Sequence, residues 1–201
     1  MIDAQRFFRS FLRDERASVS VETVIIFPIL LWAYAAMFIY WDAYKAQNVN
    51  LKATYTIADM ISRESVPITP TYVDGMNSVY GALIRRNQGN DVRVSVVEFN
   101  ADPSDPTLPA VQRLRWSDAT GAMQPLVDLN GIGSQLPAMP VGAELIVVET
   151  RMTWSPPFNF TLEPVGLDTR DMTQLVFTSP RFVPETRYDS DEDGTPDDVV
   201  S

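Results

Sequence analysis

The chain has 201 residues with 16 Lys and Arg against 26 Asp and Glu, a formal charge of −10, and neither histidine nor cysteine. Without histidine the commonest general base, the Ser-His and Cys-His nucleophile pairs and the usual zinc ligands are missing, and without cysteine there is no disulfide or thiol chemistry. No nucleotide-binding glycine loop or metalloprotease motif occurs, so the expectation is a protein that is not an enzyme.

Residues 1–17 read as a cytoplasmic leader or tail, with Arg6, Arg9, Arg13 and Arg16 ahead of the apolar run. From Val24 to Trp41 there are 18 residues without a charge, enough for a helix of about 27 Å, close to the hydrocarbon thickness of a bilayer. The basic flank predicts a cytoplasmic N-terminus and an exported remainder, and Tyr40 and Trp41 stand where an interfacial aromatic belt belongs. The expected span is 18–41. Glu22 lies one turn inside it, and Pro28 lies mid-helix, where it removes a backbone hydrogen bond. Residues 1–22 balance four arginines against four acids, so the exported part carries the whole negative charge. A surface of that sign repels nucleic acid and anionic lipid.

The segment after the span, Asp42 to Glu64, has neither Gly nor Pro. It shows a helical stripe at Ala46, Val49, Ala53, Ile57 and Met60, widened by Tyr44, Leu51, Tyr55 and Ala58. One helix of about 45 residues is therefore expected to run through the membrane and onto a domain spanning 42–184. A second helix starts at Thr69-Pro70 or at Thr71 with Asp74, buries Tyr72, Met76, Val79, Leu83 and Ile84, and ends in Arg85-Arg86 with Gly89 just beyond. The period then changes to two, with Val92, Val94 and Val96 in a first strand and Gln112 to Ser117 in a second. A loop from Ala122 to Gly142 follows, then strands from Glu144 to Trp154 and from Asp171 towards Val183. The fold class is α+β: a long transmembrane-plus-periplasmic helix, a second helix and a four-stranded antiparallel sheet, read as a meander.

The last segment, 185–201, is an acidic tail. Asp189, Asp191, Asp193, Gly194 and Asp197 fit positions one, three, five, six and nine of a calcium loop, and Val200 stands where an EF-hand needs its glutamate. Asp198 would then complete a shorter aspartate repeat of the kind such extracellular calcium loops carry. Two readings stay open, a calcium site on Asp189, Asp191, Asp193, Asp197 and Asp198 or a disordered acidic tail that needs no metal.

The stretch from Arg13 to Leu31 resembles the N-terminus of the type IV pilin superfamily, in particular the TadE/TadG-like pseudopilins of tight-adherence pilus systems. Ala17 matches the last leader residue, usually Gly, and Ser18 the first mature one. Glu22 falls at mature position five, followed by Thr23 where an aromatic is common, and Ile26 to Leu31 matches the proline-containing helix. The resemblance implies a pilin-like fold in a bacterial inner membrane with a periplasmic domain. It also implies processing between Ala17 and Ser18 by a prepilin peptidase, and assembly with other pilins and pilus-assembly proteins through Glu22 and Pro28, serving adhesion or secretion. The alternative is an uncleaved, membrane-tethered periplasmic binding domain with a calcium-dependent tail.

Overall fold

A computed structural model describes residues 15–85, 89–101, 109–158 and 168–197. Helix α1 (Glu15–Ser62) is 48 residues long and continuous through Pro28. Helix α2 spans Pro70–Ile84, and four strands follow: β1 (Asn90–Asn100), β2 (Val111–Ala119), β3 (Ala143–Trp154) and β4 (Arg170–Thr178). The fold is α+β, as its periodicities indicate. Two compact units divide the chain: 1–44 with 156–168, and 45–155 with 169–201.

Within the second unit all strand pairs are antiparallel and their order is β2-β1-β3-β4, which differs from the expected meander. Burial accounts for the difference. Val94, Val96 and Val97 of β1 and Ile146, Val147 and Val148 of β3 are buried on both faces of the sheet, and strands of that kind take central places. β2 and β4, richer in Arg, Gln, Asp and Thr, take the edges, where polar side chains reach water. The connection from β2 to β3 must therefore pass over β1. It does so as a loop from Thr120 to Gly142 that lays Ile132 on Val97, Leu145 and Val147 to make a small core of its own.

The opposite face carries the main core. Val92, Val94 and Val96 alternate along β1 in register with Thr150, Val148 and Ile146 of β3. The helices contribute Ile57 and Ile61 from α1 and Val73, Met76, Tyr80 and Ile84 from α2, all buried. Burying each such side chain stabilises the fold by about 1.5–3 kcal/mol.

A polar cluster of Asn50, Thr54 and Thr150 lies within this core. The Tyr80 hydroxyl donates to Asn50 Oδ1 at 2.7 Å, Thr150 Oγ1 donates to the same oxygen at 3.2 Å, and Asn50 Nδ2 donates to the Met172 carbonyl at 3.0 Å. The hydroxyls of Thr54 and Thr150 lie 2.6 Å apart. Asn50 thus joins α1 to α2, β3 and β4, and burial pushes the Tyr80 phenol up to about 12, against the lowering effect of Thr150.

The ends of α2 depart in detail from expectation. Thr69 caps the N-terminus by accepting the Tyr72 N–H at 3.1 Å, with Pro70 in the first turn. The C-cap is Arg85 itself, in the left-handed region at φ 57°, so it does not sit in the last turn. Arg86 lies outside the described residues. The buried face is also turned from the expected one: Val73 and Tyr80 point inward, whereas Leu83 is exposed. Tyr80 goes in because Asn50 is there to receive its hydroxyl.

Candidate functional site

Two places concentrate the residues singled out by sequence. The first is the N-terminal part of α1, in the first unit. Val24, Ile25, Phe27, Ile29, Leu30, Leu31 and Trp32 are all more than half exposed, as are Tyr34, Met37, Tyr40 and Trp41. From Val24 to Tyr34 every residue is exposed, whereas Ile39 further along is buried; large side chains exposed on every side for about three turns would be unstable in water. The stretch is one helix long and apolar enough to cross a membrane. Ala17 and Ser18 lie in the helical backbone of α1. Glu22 is exposed on the same helix, and the neighbouring Thr23 hydroxyl bonds back to the Val19 carbonyl at 2.8 Å, so the first turn of the apolar stretch holds its polar hydrogen internally. Pro28 removes the N–H that would answer the Val24 carbonyl without breaking the helix.

Near its far end this stretch is aromatic. Tyr34, Met37, Phe38, Tyr40, Trp41 and Tyr44 line an open apolar hollow of about 470 Å³. Phe158, from the β3–β4 connection, sets its ring 5.7 Å from that of Phe38. Phe158 escaped the sequence reading, although its setting in Pro156-Pro157-Phe158 is an apolar loop and thus unusual at a strand end.

The second place is the segment 183–197, which packs as a strap on the second unit. Tyr188 stacks on Trp116 of β2 with ring centroids 4.8 Å apart. Trp116 Nε1 donates to the Thr186 carbonyl at 2.7 Å. Ile68 N–H bonds the Arg187 carbonyl and Asp189 N–H bonds the Ile68 carbonyl, both at 2.9 Å, so the strap pairs in parallel with the connector between α1 and α2. Arg115 and Glu144 lock its base. Val96 pairs with Trp116 and Val97 with Leu114, which leaves Arg115 as the extra residue of a β-bulge and re-aims it. It reaches Glu185 at 2.8 Å and Glu144 at 3.5 Å. The Glu144 Oε2 accepts the Thr186 N–H at 2.7 Å. Burial pushes Glu144 up to about 7, with Glu98 and Glu185 adding to the rise and Thr186 and Arg115 opposing it.

The calcium-pattern residues separate inside the strap. Asp189, Asp191 and Asp197 bring one carboxylate oxygen each to within 4.8 Å of one another and are the residues that could hold a hard cation. Asp193 turns away to accept the Thr195 N–H at 2.7 Å and the Thr195 hydroxyl. Asp198 lies outside the described residues. Backbone amides already answer much of the charge: Gly194 N–H meets Asp189 Oδ2 at 2.9 Å, Asp193 N–H meets Asp189 Oδ1 at 3.3 Å, and Ser190 N–H meets Asp197 Oδ2 at 2.6 Å. Glu192, at φ 60°, leaves the cluster and accepts the Thr71 N–H at 2.9 Å, capping α2. The Thr71 hydroxyl and amide hold its carboxyl below the usual range.

No protein-family model, curated protein or solved structure matches this chain.

Proposed function

We propose that this protein is a single-pass membrane protein of the pilin type, a minor pilin or pseudopilin of a tight-adherence pilus assembly system. Its N-terminus is cytoplasmic and its α+β domain periplasmic. The observation that carries the reading is α1: an uncharged apolar stretch, exposed on every side from Val24 to Tyr34, opened by Glu22 and running without interruption into the core helix of a folded domain. A carboxylate on a lipid-facing helix costs up to about 3 kcal/mol at the bilayer centre and less near its edge. A positive partner removes that penalty, and cleavage between Ala17 and Ser18 would create one, the α-amine of Ser18. In an assembly of helices, Glu22 of one subunit meets the amine of the next and sets their axial stagger. The domain supplies contacts to other assembly proteins.

Intact-mass measurement of the protein extracted from membranes that contain a cognate prepilin peptidase tests this. The mature chain should begin at Ser18, and Ala17→Leu should stay full length because a bulky residue blocks the scissile position. Wild type that remains full length alongside active peptidase would sink the pilin reading.

A second reading, the uncleaved membrane tether, is favoured by the helical backbone through Ala17 and Ser18, since proteases take extended chain and prefer exposed loops. The same mass spectrum separates the two, because the tether begins at Met1 or Ile2.

A further inference from the structure

We propose that Phe158, at the start of the connection between β3 and β4, is a second membrane contact, which inserts into the headgroup–acyl boundary of the outer leaflet beside the helix. The proposal rests on the reading of α1 as a membrane span.

The Phe158 ring lies 5.7 Å from Phe38, tilted by 46°. Phe38 precedes Trp41, the last residue of the uncharged run, by three positions, which is about 4.5 Å along a helix axis. A side chain in contact with Phe38 therefore sits below the level of the aromatic belt. The contact does not bury the pair: Phe38 remains 44% exposed and Phe158 47%. Around them Tyr34, Met37, Tyr40, Trp41 and Tyr44 line an open apolar hollow, while Ile39 and Ala43 on the same turns are buried.

That surface suits a medium more than a folded partner. Tyr and Trp present apolar bodies with a polar tip, the composition found where lipid meets water. Phe158 extends the surface from the helix onto the loop, so the contact is continuous with the span itself. Pro156 and Pro157 precede it; they lack backbone N–H groups, which lessens the penalty of bringing a loop near hydrocarbon. The charge of the chain gives no attraction to anionic headgroups, so the contact is apolar and independent of lipid charge.

The chain has no cysteine, so a single label can be placed cleanly. Full-length Pro157→Cys, carrying a bimane and reconstituted in phosphatidylcholine vesicles, is compared with Ile29→Cys in the span and Val127→Cys on an exposed loop. Quenching by shallow spin-labelled lipid is read against quenching by aqueous iodide. The label at 157 should be quenched by lipid and shielded from iodide, and adding Phe158→Asp should reverse that preference while Phe158→Leu preserves it.

Iodide quenching at 157 with lipid quenching at 29 overturns the proposal and leaves the membrane span standing. Shielding of 157 from both quenchers overturns it in favour of a protein partner, such as a second copy. Lipid quenching that persists with Phe158→Asp overturns the role of Phe158. Iodide quenching at 29 as well removes the span and the proposal together.

Discussion

At the scale of single residues, the positions that matter most are those where one atom decides whether a group fits. Gly121 is held at φ +67°, and a Cβ there would lie 1.8 Å from Asp91 Oδ1. That carboxylate accepts the Ala122 N–H at 3.0 Å and pairs with Arg151, so it has little room to retreat. Gly121→Ala should destabilise the domain by about 2 kcal/mol or more, from backbone strain and displacement of a half-buried ion pair. Denaturant unfolding checks it, and Gly121→Ala in an Asp91→Asn background should not relieve the strained part.

Glu144 makes a second test. Its pKa rises from the ordinary carboxylate range to about 7 in the folded state, so the native protein binds more protons than the unfolded chain between about pH 4.5 and 7. Stability should therefore fall as pH rises through that window. Glu185, held low by Arg115, acts in the opposite sense and only at the acid end. Melting temperatures measured from pH 5 to 8 should decline for the wild type and flatten for Glu144→Gln, which keeps an acceptor for the Thr186 N–H. A wild-type melting temperature that climbs with pH would contradict this.

At the scale of elements, Asn50 pins α1 in register. Tyr80→Phe leaves Asn50 Oδ1 with only the long Thr150 bond and should cost about 1–2 kcal/mol. Asn50→Leu takes the acceptor from the Tyr80 hydroxyl and the donor from the Met172 carbonyl, with Thr150 keeping its bond to Thr54, and should cost more. Equal effects in urea unfolding would argue against a shared network.

These elements also show what could be read in advance. The period-two valines of β1 announced a strand because Val92, Val94 and Val96 face a core. Asn50 and Thr54 did not announce themselves: a polar residue inside a helical stripe looks like the edge of a solvent face until Tyr80 and Thr150 arrive from elsewhere in the chain. Strand order escaped for a related reason, since it depends on comparing burial between β1 and β3 rather than on either alone. In the strap, Tyr188 was one ring among acids, and its stacking partner Trp116 lies 72 residues earlier. The acidic loop carries a further expectation. Amides of Ser190, Asp193 and Gly194 already bond Asp189 and Asp197, so removing divalent cations with a chelator should leave the melting temperature unchanged. A drop on chelation would show that the carboxylates need a cation to stay together.

At the scale of the whole molecule, the reading of α1 predicts separable roles for its two polar features. Glu22→Ala should insert into membranes at least as well as the wild type, because it removes a desolvation penalty, while losing co-purification with partner pilins. Membrane fractionation and pull-down measure the two effects independently. Normal co-purification by the mutant would return Glu22 to the status of a boundary residue.

The order β2-β1-β3-β4 has a consequence in time. The central ladder joins Asn90 to Met152 and Phe99 to Ala143, and the strap returns from Tyr188 to Ile68. Closing such long loops carries an entropic cost before any contact rewards it. The β1–β2 hairpin can form early, but its exposed valines have no neighbour until β3 is made, and Trp116 stays uncovered until Thr186 and Tyr188 have been synthesised and can dock on it. Nascent chains halted before Ala143 should therefore be protease-sensitive and prone to associate through the free edge of β1, and protection should appear in two steps, at the completion of β3 and again when the strap docks.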